Sequence, residues 1–214
     1  MVADVAVLLP FRDAAARPDD AIASIIAQTF RNWELRLVDN ASTDGGAAIA
    51  RKWSRSDLRI RLLTGPRPGF ANALNTGSAG AMSPLIARMD ADDISRPDPL
   101  EKQVAYMNKR TVIGVLGART GFSTSVTNSA GMRAFVNWQN GLITPQDHFL
   151  KRFVDAPLAY PTVMFRRELI DSYGGYSTDL CPRTTSSGYA GCTTACSPRS
   201  CWRNSSNGTT IHKA

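Results

Sequence analysis

From Val2 to Pro10 the chain is almost uniformly apolar and rich in valine and leucine, the pattern of a strand buried on both faces. Asp19 and Asp20 stand ready to cap a helix over residues 21–27. Trp33 to Val38 reads as a second strand, and it runs into Asp39-Asn40-Ala41-Ser42-Thr43-Asp44-Gly45, a stretch dense in turn formers. A helix from about Gly46 to Trp53, a strand from Ile60 to Leu63, a helix from Phe70 to Ala81 and a strand from Pro84 to Met89 follow, with a further strand from Val112 to Gly117. Strand and helix alternate in order. That order predicts an α/β protein, a mostly parallel sheet flanked by helices, with its ligand crevice beyond the carboxyl ends of the strands.

The strand ending at Met89 delivers three carboxylates within four positions, Asp90, Asp92 and Asp93. Mg²⁺ and Mn²⁺ prefer oxygen ligands, and such sites commonly combine one or two carboxylates with water and substrate phosphate. An Asp-x-Asp corner therefore suggests a metal shared with a diphosphate. The competing reading is a polar turn in which Asp92, Asp93 or Ser95 caps a helix resuming after Pro97 or Pro99. Asp39 alone would likewise fit an Asx turn, and Asp44 could precede a helix start. On a parallel sheet, however, Asp13, Asp39 and Asp90/Asp92 all fall just past strand ends on one rim, a convergence that packing does not explain.

Composition narrows the setting. With 214 residues and a hydrophobic fraction of 43%, the chain suits a globular protein with a substantial core. No apolar run approaches the roughly 20 residues of a membrane span. The run from Val5 to Phe11 lacks the basic start and small-residue cleavage site of a signal peptide, so a cytoplasmic location is expected. The net charge of +7 could indicate nucleic acid, but Arg183, Arg199, Arg203 and Lys213 follow Asp179 without an acid among them and account for four of the seven. The remaining +3 gives no reason to expect a nucleic-acid partner.

Val5 to Pro10, Gln28-Thr29-Phe30, Trp33-Glu34-Leu35, Leu37 to Gly45, Ala73-Leu74-Asn75-Thr76-Gly77 and Met89-Asp90-Ala91-Asp92-Asp93 together resemble the family 2 glycosyltransferases of the GT-A fold, a resemblance that runs through about residue 180. It implies a donor-binding half over residues 1–110 and an acceptor-side half over 111–180 of the same domain. By position, Pro10 and Asp13 resemble the loop that receives the nucleoside, and Asp39 the carboxylate that accepts a hydrogen bond from the base, typically uracil. Arg67 lies where such enzymes often place a basic diphosphate contact, with Asn75 in the donor-site helix. Asp90, Ala91 and Asp92 match the motif that binds donor and metal, Asp90 and Asp92 being the implied ligands of Mn²⁺ or Mg²⁺. Arg12 stands where the family often has an aromatic that stacks on the base, a contact an arginine can also make.

Tyr160 to Arg167 and Gly174-Gly175-Tyr176 resemble the acceptor half. A histidine is common where Tyr160 stands, so no acceptor contact is carried over. Arg166-Arg167 reads as a solvated pair with at least one member lacking a special role, and His148 as a surface or loop histidine.

At Cys181 the character changes. All four cysteines, Cys181, Cys192, Cys196 and Cys201, fall in residues 181–214, among Ser, Thr, Gly and Asn, and an irregular, disordered tail is expected there. The cysteine spacing lacks the paired units of structural zinc sites, and nothing else points to disulfides. Two matches to the glycosylation sequon, at Asn204 and Asn207, arise easily by chance in such a segment. Permitted codons for residues 182–192, read from the third base, encode Glu-Asp-Tyr-Glu-Leu-Trp-Leu-Arg-Trp-Leu, the signature that in this family follows Gly-Gly-Tyr. The tail from about Arg183 thus looks translated in a shifted frame. The Glu-Asp pair supplies the family's catalytic base, for which this tail offers no match.

The expected activity is transfer of a sugar, with inversion, from a nucleotide-diphospho-sugar, a UDP-sugar by resemblance, to a glycan or lipid-linked acceptor. Peripheral association with the inner face of a membrane is compatible with that chemistry. The rival from another class is a noncatalytic sugar-nucleotide binding protein. A nucleotidyltransferase would carry a Gly-rich loop after its first strand, which Leu8 to Ala14 lacks. A phosphatase of the Asp-x-Asp kind would place that motif after its first strand.

Overall fold

The computed structural model describes residues 2–14, 18–121, 130–177 and 210–213, the last four as backbone. Strand β1, Val5–Phe11, is buried along its whole length. Its side chains alternate between two cores: Val5, Val7, Leu9 and Phe11 join one cluster and Leu8 the other. A strand apolar on both faces needs cover on both. One face is covered by α1 (Pro18–Ile26), α2 (Gly46–Ser56) and α4 (Pro99–Lys109), through Ala21, Ile22, Ile25, Ala50, Leu100, Val104 and Met107. The other is covered by α3 (Phe70–Ser78) and α7 (Glu168–Tyr173), through Phe70, Leu74, Leu169 and Ile170.

The sheet has seven strands in the order β3-β2-β1-β4-β6-β5-β7. Strands β2 (Trp33–Asp39), β3 (Ile60–Thr64) and β4 (Leu85–Arg88) join β1 in a parallel block, in a register that aligns Phe11 with Asp39, Asp39 with Thr64, and Leu8 with Arg88. Strand β6 (Met164–Arg166) runs antiparallel between β4 and β5 (Ile113–Gly117). The fold is therefore the expected α/β class, a mostly parallel sheet flanked by helices. Helices α5 (Ala130–Gly141) and α6 (Pro145–Lys151) complete the described chain.

Most of the tail, with its four cysteines and both sequons, lies outside the described residues. Its last part departs from the expected irregular chain: Thr210–Lys213 forms β7, parallel to β5, with a register irregularity between Ile113 and Val115. The free edge of β5 offers unpaired N–H and C=O groups to any neighbouring backbone, and Thr and Ile suit a strand.

Helix α3 lies close on the sheet because of Gly77, where an added Cβ would come within 3.1 Å of Val38 Cγ2 and 3.2 Å of Leu8 Cδ2. Both contacts belong to fully buried strand residues, which have little room to yield. Gly77→Val is expected to lower the unfolding free energy by about 1–3 kcal/mol in urea titrations followed by circular dichroism. An unchanged midpoint would mean that the helix moves aside without cost.

Candidate active site at the strand carboxyl ends

Past the end of β1, exposed Asp13 adopts a left-handed backbone conformation, φ 47°. Aspartate tolerates this region better than most residues. Its N–H donates to Ser42 Oγ at 3.2 Å, while the Thr43 N–H and hydroxyl donate to Asp13 Oδ1 at 2.7 and 3.0 Å. The loops after β1 and β2 are thus stitched to each other. Arg12 lies beside Asp13 at 3.6 Å and is exposed; Pro10 is the next-to-last residue of β1, opposite Val38.

Asp39 does make the Asx turn, its Oδ1 accepting the Ser42 N–H at 2.9 Å, and Asp44 Oδ1 does accept the N–H of Gly46 at the start of α2. Neither bond takes the carboxylate from the rim, since each uses Oδ1 of a group with two oxygens. Buried Asn40 is a residue to which the sequence assigned no role. Its Oδ1 accepts the Gly69 N–H at 2.7 Å, and Gly69, at φ 128°, holds a conformation few other residues reach. That bond fixes the loop carrying Arg67, which is exposed and makes no ion pair with another described residue.

Asn75, on α3, clamps the Gly-Gly-Tyr segment. Its Nδ2 donates to the Tyr176 carbonyl at 2.8 Å, and its Oδ1 accepts the Tyr176 N–H at 2.7 Å. An added Cβ at Gly175 would overlap that same Oδ1, so the Gly-Gly-Tyr segment needs its glycine to reach this clamp. The Tyr176 ring then packs edge-on against Phe165 at 6.4 Å.

The acidic corner begins where β4 ends. Asp90 is half-buried, Ala91 packs against the core, and Asp92 and Asp93 are exposed. Arg88 Nη2 sits 3.4 Å from Asp90 Oδ1. Burial nonetheless raises the Asp90 carboxyl above the ordinary aspartate range; Arg88 pulls it down and Asp92 pushes it up. Although the residue as a whole is exposed, desolvation of its carboxyl by the surrounding loop, then the charges of Asp90 and Asp92, push Asp93 up to about 6. The three acids repel one another across a corner that one guanidinium does not neutralise.

The capping alternative for these acids fails. Helix α4 starts at Pro99 with Asp98 as its N-cap residue, and Asp92, Asp93 and Ser95 all precede that cap. What holds the loop is Gln28, fully buried: its Nε2 donates to Ser24 O, Ser95 Oγ and Arg96 O, and its Oε1 accepts the Leu100 N–H. Thr29 adds a backbone bond to Pro97 O at 2.7 Å and a hydroxyl bond to Glu101 at 2.6 Å. The Gln28-Thr29 pair thus fastens the far side of the acidic loop to α1. Among the described residues no group of three or more His, Cys, Asp and Glu side chains closes a metal site by itself.

On the other half, Tyr160–Thr162 forms a 3-10 turn, its carbonyl at Thr162 held by Gln103 at 2.8 Å. Arg166 is structural, donating to Ile113 O, Met107 O and Arg110 O at the end of α4, while Arg167 pairs with Asp171 at 2.8 Å. His148 corrects the expectation of a surface histidine: it is wholly buried. The Thr144/Asp147 capping box sets the phase of α6 so that Phe149 and Leu150 face outward and His148 inward.

The model of glycosyl transferase family 2 matches residues 6–174, from β1 through the end of α7. The chain belongs to that family. TuaG of Bacillus subtilis (strain 168), named for teichuronic acid biosynthesis, is 30% identical over 165 residues, covering 77% of this chain and 62% of TuaG. The Escherichia coli glucosyltransferase WfgD, named for UDP-Glc and a GlcNAc-diphosphoundecaprenol acceptor, is 34% identical over 53% of this chain and 44% of its own length. The chain thus spans about half the length of these two family members. Among solved structures, the Pyrobaculum calidifontis mannosyltransferase PcManGT, in complex with GDP-Man and Mn²⁺, aligns with a TM-score of 0.69 at 21% identity, over 100% of this chain and 55% of that one. Residues 1–349 of S. aureus TarS align at 0.70 and 17% identity, over 99% and 58%. At these identities the likeness is one of fold, the GT-A fold of nucleotide-sugar transferases. Among the described residues of this family member no helix is long and apolar enough to cross a membrane.

The Asp13 clamp carries its own pH signature. The backbone N–H and hydroxyl of Thr43 hold the Asp13 carboxyl below the ordinary value of 3.8 despite partial desolvation, with Arg12 helping. A lowered folded-state value means that the bond's contribution is complete above the ordinary value and is lost as pH falls through the folded one. The Thr43 amide resonance is therefore expected to stay constant from neutral pH downward and to titrate below 3.8. A midpoint above that value would contradict the clamp.

Proposed function

We propose that this chain is the donor-binding and acceptor-facing domain of a metal-dependent, inverting family 2 glycosyltransferase that uses a nucleotide-diphospho-sugar, a UDP-sugar by resemblance. The observation that carries the reading is the convergence on one rim of three acid-bearing loops held by side chains: the first two stitched to each other by Asp13 and Thr43, the second shaped by the Asp39–Ser42 turn, and the Asp90-Asp92-Asp93 corner followed by a segment anchored to α1 through Gln28. We divide the domain into a donor half, residues 1–110, and an acceptor half, 111–180.

In this reading the nucleoside enters between Pro10, Arg12, Asp13 and Asp39, with Asp39 accepting a hydrogen bond from the base through the oxygen the Asx turn leaves over. Exposed Arg67 meets the diphosphate from a loop held by Asn40 and Gly69. Asn75 shapes the wall of the site through Tyr176. The residues present fit Mn²⁺ or Mg²⁺: the donors at Asp90 and Asp92 are hard oxygens, and their mutual repulsion favours a cation. The lack of a closed protein cage suits an ion whose other ligands are phosphate and water. When bound, the ion would neutralise charge on the departing diphosphate.

Transfer then requires the acceptor oxygen to attack the anomeric carbon as the bond to the diphosphate breaks, with the acceptor proton passing to a base. That base must lie within about 2.6–3.2 Å of the hydroxyl. The family match ends at Gly174, and the Glu-Asp pair that would follow Gly-Gly-Tyr is replaced in this tail. This favours, as a second reading for the chain as it stands, sugar-nucleotide binding without turnover. An acceptor carried on a lipid, met at the inner face of a membrane, is supported by an exposed apolar strip on the acceptor half, Phe149, Leu150, Phe153 and Val154, beside Lys151 and Arg152.

Calorimetry with UDP- and GDP-sugars is expected to detect binding that strengthens with Mn²⁺, and Asp92→Ala is expected to weaken the metal-dependent part by at least about tenfold. No binding of any nucleotide with any metal, or an unaltered Asp92→Ala, overturns the reading. Restoring the alternative frame from Arg183 is expected to add turnover with little change in donor affinity. If resequenced or restored DNA yields no Glu-Asp-Tyr continuation, the shifted-frame account fails.

A further inference from the structure

The last residue of β4, Arg88, carries a charge with a side chain only 2% exposed. Taking a guanidinium out of water costs several kcal/mol unless neighbours compensate. Among the described residues, three groups from three parts of the chain do so here. The Arg88 guanidinium carbon lies 5.1 Å from the centre of the Phe70 ring, at the start of α3, and 5.4 Å from that of Tyr160, in the 3-10 turn of the acceptor half. Both are within cation–π reach, about 6 Å. The third group is the Asp90 carboxylate, through Oδ1 at 3.4 Å.

We propose that Arg88 is the positioning residue of the acidic corner: held by Phe70 and Tyr160, its guanidinium anchors Oδ1 of Asp90 and sets the orientation in which Oδ2 meets a divalent cation with the donor diphosphate. The inference rests on the donor-site reading above. An arginine on the open surface could swing away from its partner; this one is buried among two rings, so its position is fixed before any ligand arrives. Lysine could not replace it, because an ammonium offers no planar face to the rings and no fork toward the carboxylate. The anchor also makes the acidic corner depend on the acceptor half, since one of the two rings is Tyr160.

Two effects of removing Arg88 have opposite signs, which makes the proposal decidable. Coulomb repulsion alone predicts that a divalent cation binds more tightly once a neighbouring positive charge is gone. Positioning predicts weaker binding, because half-buried Asp90 then loses its anchor beside Asp92. The experiment uses the full chain: free Mn²⁺ is followed by electron paramagnetic resonance during titration with UDP or GDP present, whichever the wild type binds more tightly. Metal-free nucleotide binding and thermal melting are measured in parallel. Arg88→Gln is expected to lose about tenfold in Mn²⁺ affinity, the size typical of outer-contact mutations, with metal-free nucleotide binding unchanged. Tyr160→Leu, which leaves both Arg88 and Asp90 in place, is expected to shift Mn²⁺ affinity in the same direction by a smaller factor, and it decides the matter if Arg88→Gln does not fold. Unchanged or tighter Mn²⁺ binding in a folded Arg88→Gln, or in Tyr160→Leu when the glutamine variant does not fold, overturns the proposal. A wild type that binds no Mn²⁺ with nucleotide overturns the donor-site reading and this inference together; a wild type that binds it, with variants that match it, overturns this inference alone.

Discussion

Strand β1 must be covered on both faces, and most of the architecture follows from that requirement. With Val5, Val7, Leu9 and Phe11 on one side and Leu8 on the other, no edge or surface position would satisfy it. Helices on both sides require crossovers, and crossovers return the neighbouring strands parallel to β1. Parallel strands put all their carboxyl ends on one rim. The loops after β1, β2 and β4 thus meet as a consequence of hydrophobic burial, while packing leaves unexplained that each of them carries an acid, Asp13, Asp39 and Asp90.

Topology brings the loops to the same rim but does not fix their shapes. That falls to a small number of side chains bonded to backbone groups: Asp13 to Thr43, Asn40 to Gly69, Asn75 to Tyr176, and Gln28 to the segment from Ser95 to Leu100. Each satisfies main-chain groups that the loops cannot pair among themselves. Gln28 and Asn40 are buried and their described side-chain hydrogen bonds go to none of the acids, yet losing either would free a segment on which an acid or Arg67 is carried. Rigid support of this kind lets a surface of mutually repelling carboxylates persist without a ligand.

Periodicity made the parallel block legible. The strands at Trp33, Ile60 and Leu85 and the helices at Gly46 and Phe70 lie within a few residues of their expected bounds, because long apolar runs and turn-rich breaks leave little ambiguity. The acids were legible for the same reason. Arg88 was not: on a strand it reads as the polar spacer between Ala87 and Met89, and only the three-dimensional meeting of Phe70, Tyr160 and Asp90 gives it a role. His148 was misread because its burial depends on the phase of a seven-residue helix, too short for a period to register. Asn75 stood in a recognisable segment, but its partner is Tyr176, 101 residues away, and nothing local announces the clamp.

In the proposed reading, the distribution of the site along the chain separates donor binding from proton removal. The donor rim of that reading is assembled from residues 10–93, and among the described contacts that secure it the furthest along the chain is Tyr176. The base of a family 2 enzyme would come from the segment after Gly-Gly-Tyr, beyond the family match, where the present tail has a different sequence. A change of frame from about Arg183, as proposed, would leave in place the Asn75 clamp and the described partners of Arg88, which are Phe70, Tyr160 and Asp90. The cost in the proposed reading falls on proton removal, since no Glu-Asp pair follows Gly-Gly-Tyr in this sequence. Binding and turnover are, in that reading, separable by sequence position, since the carboxylates that would face the leaving group come early in the chain and the segment that would take the acceptor proton comes late.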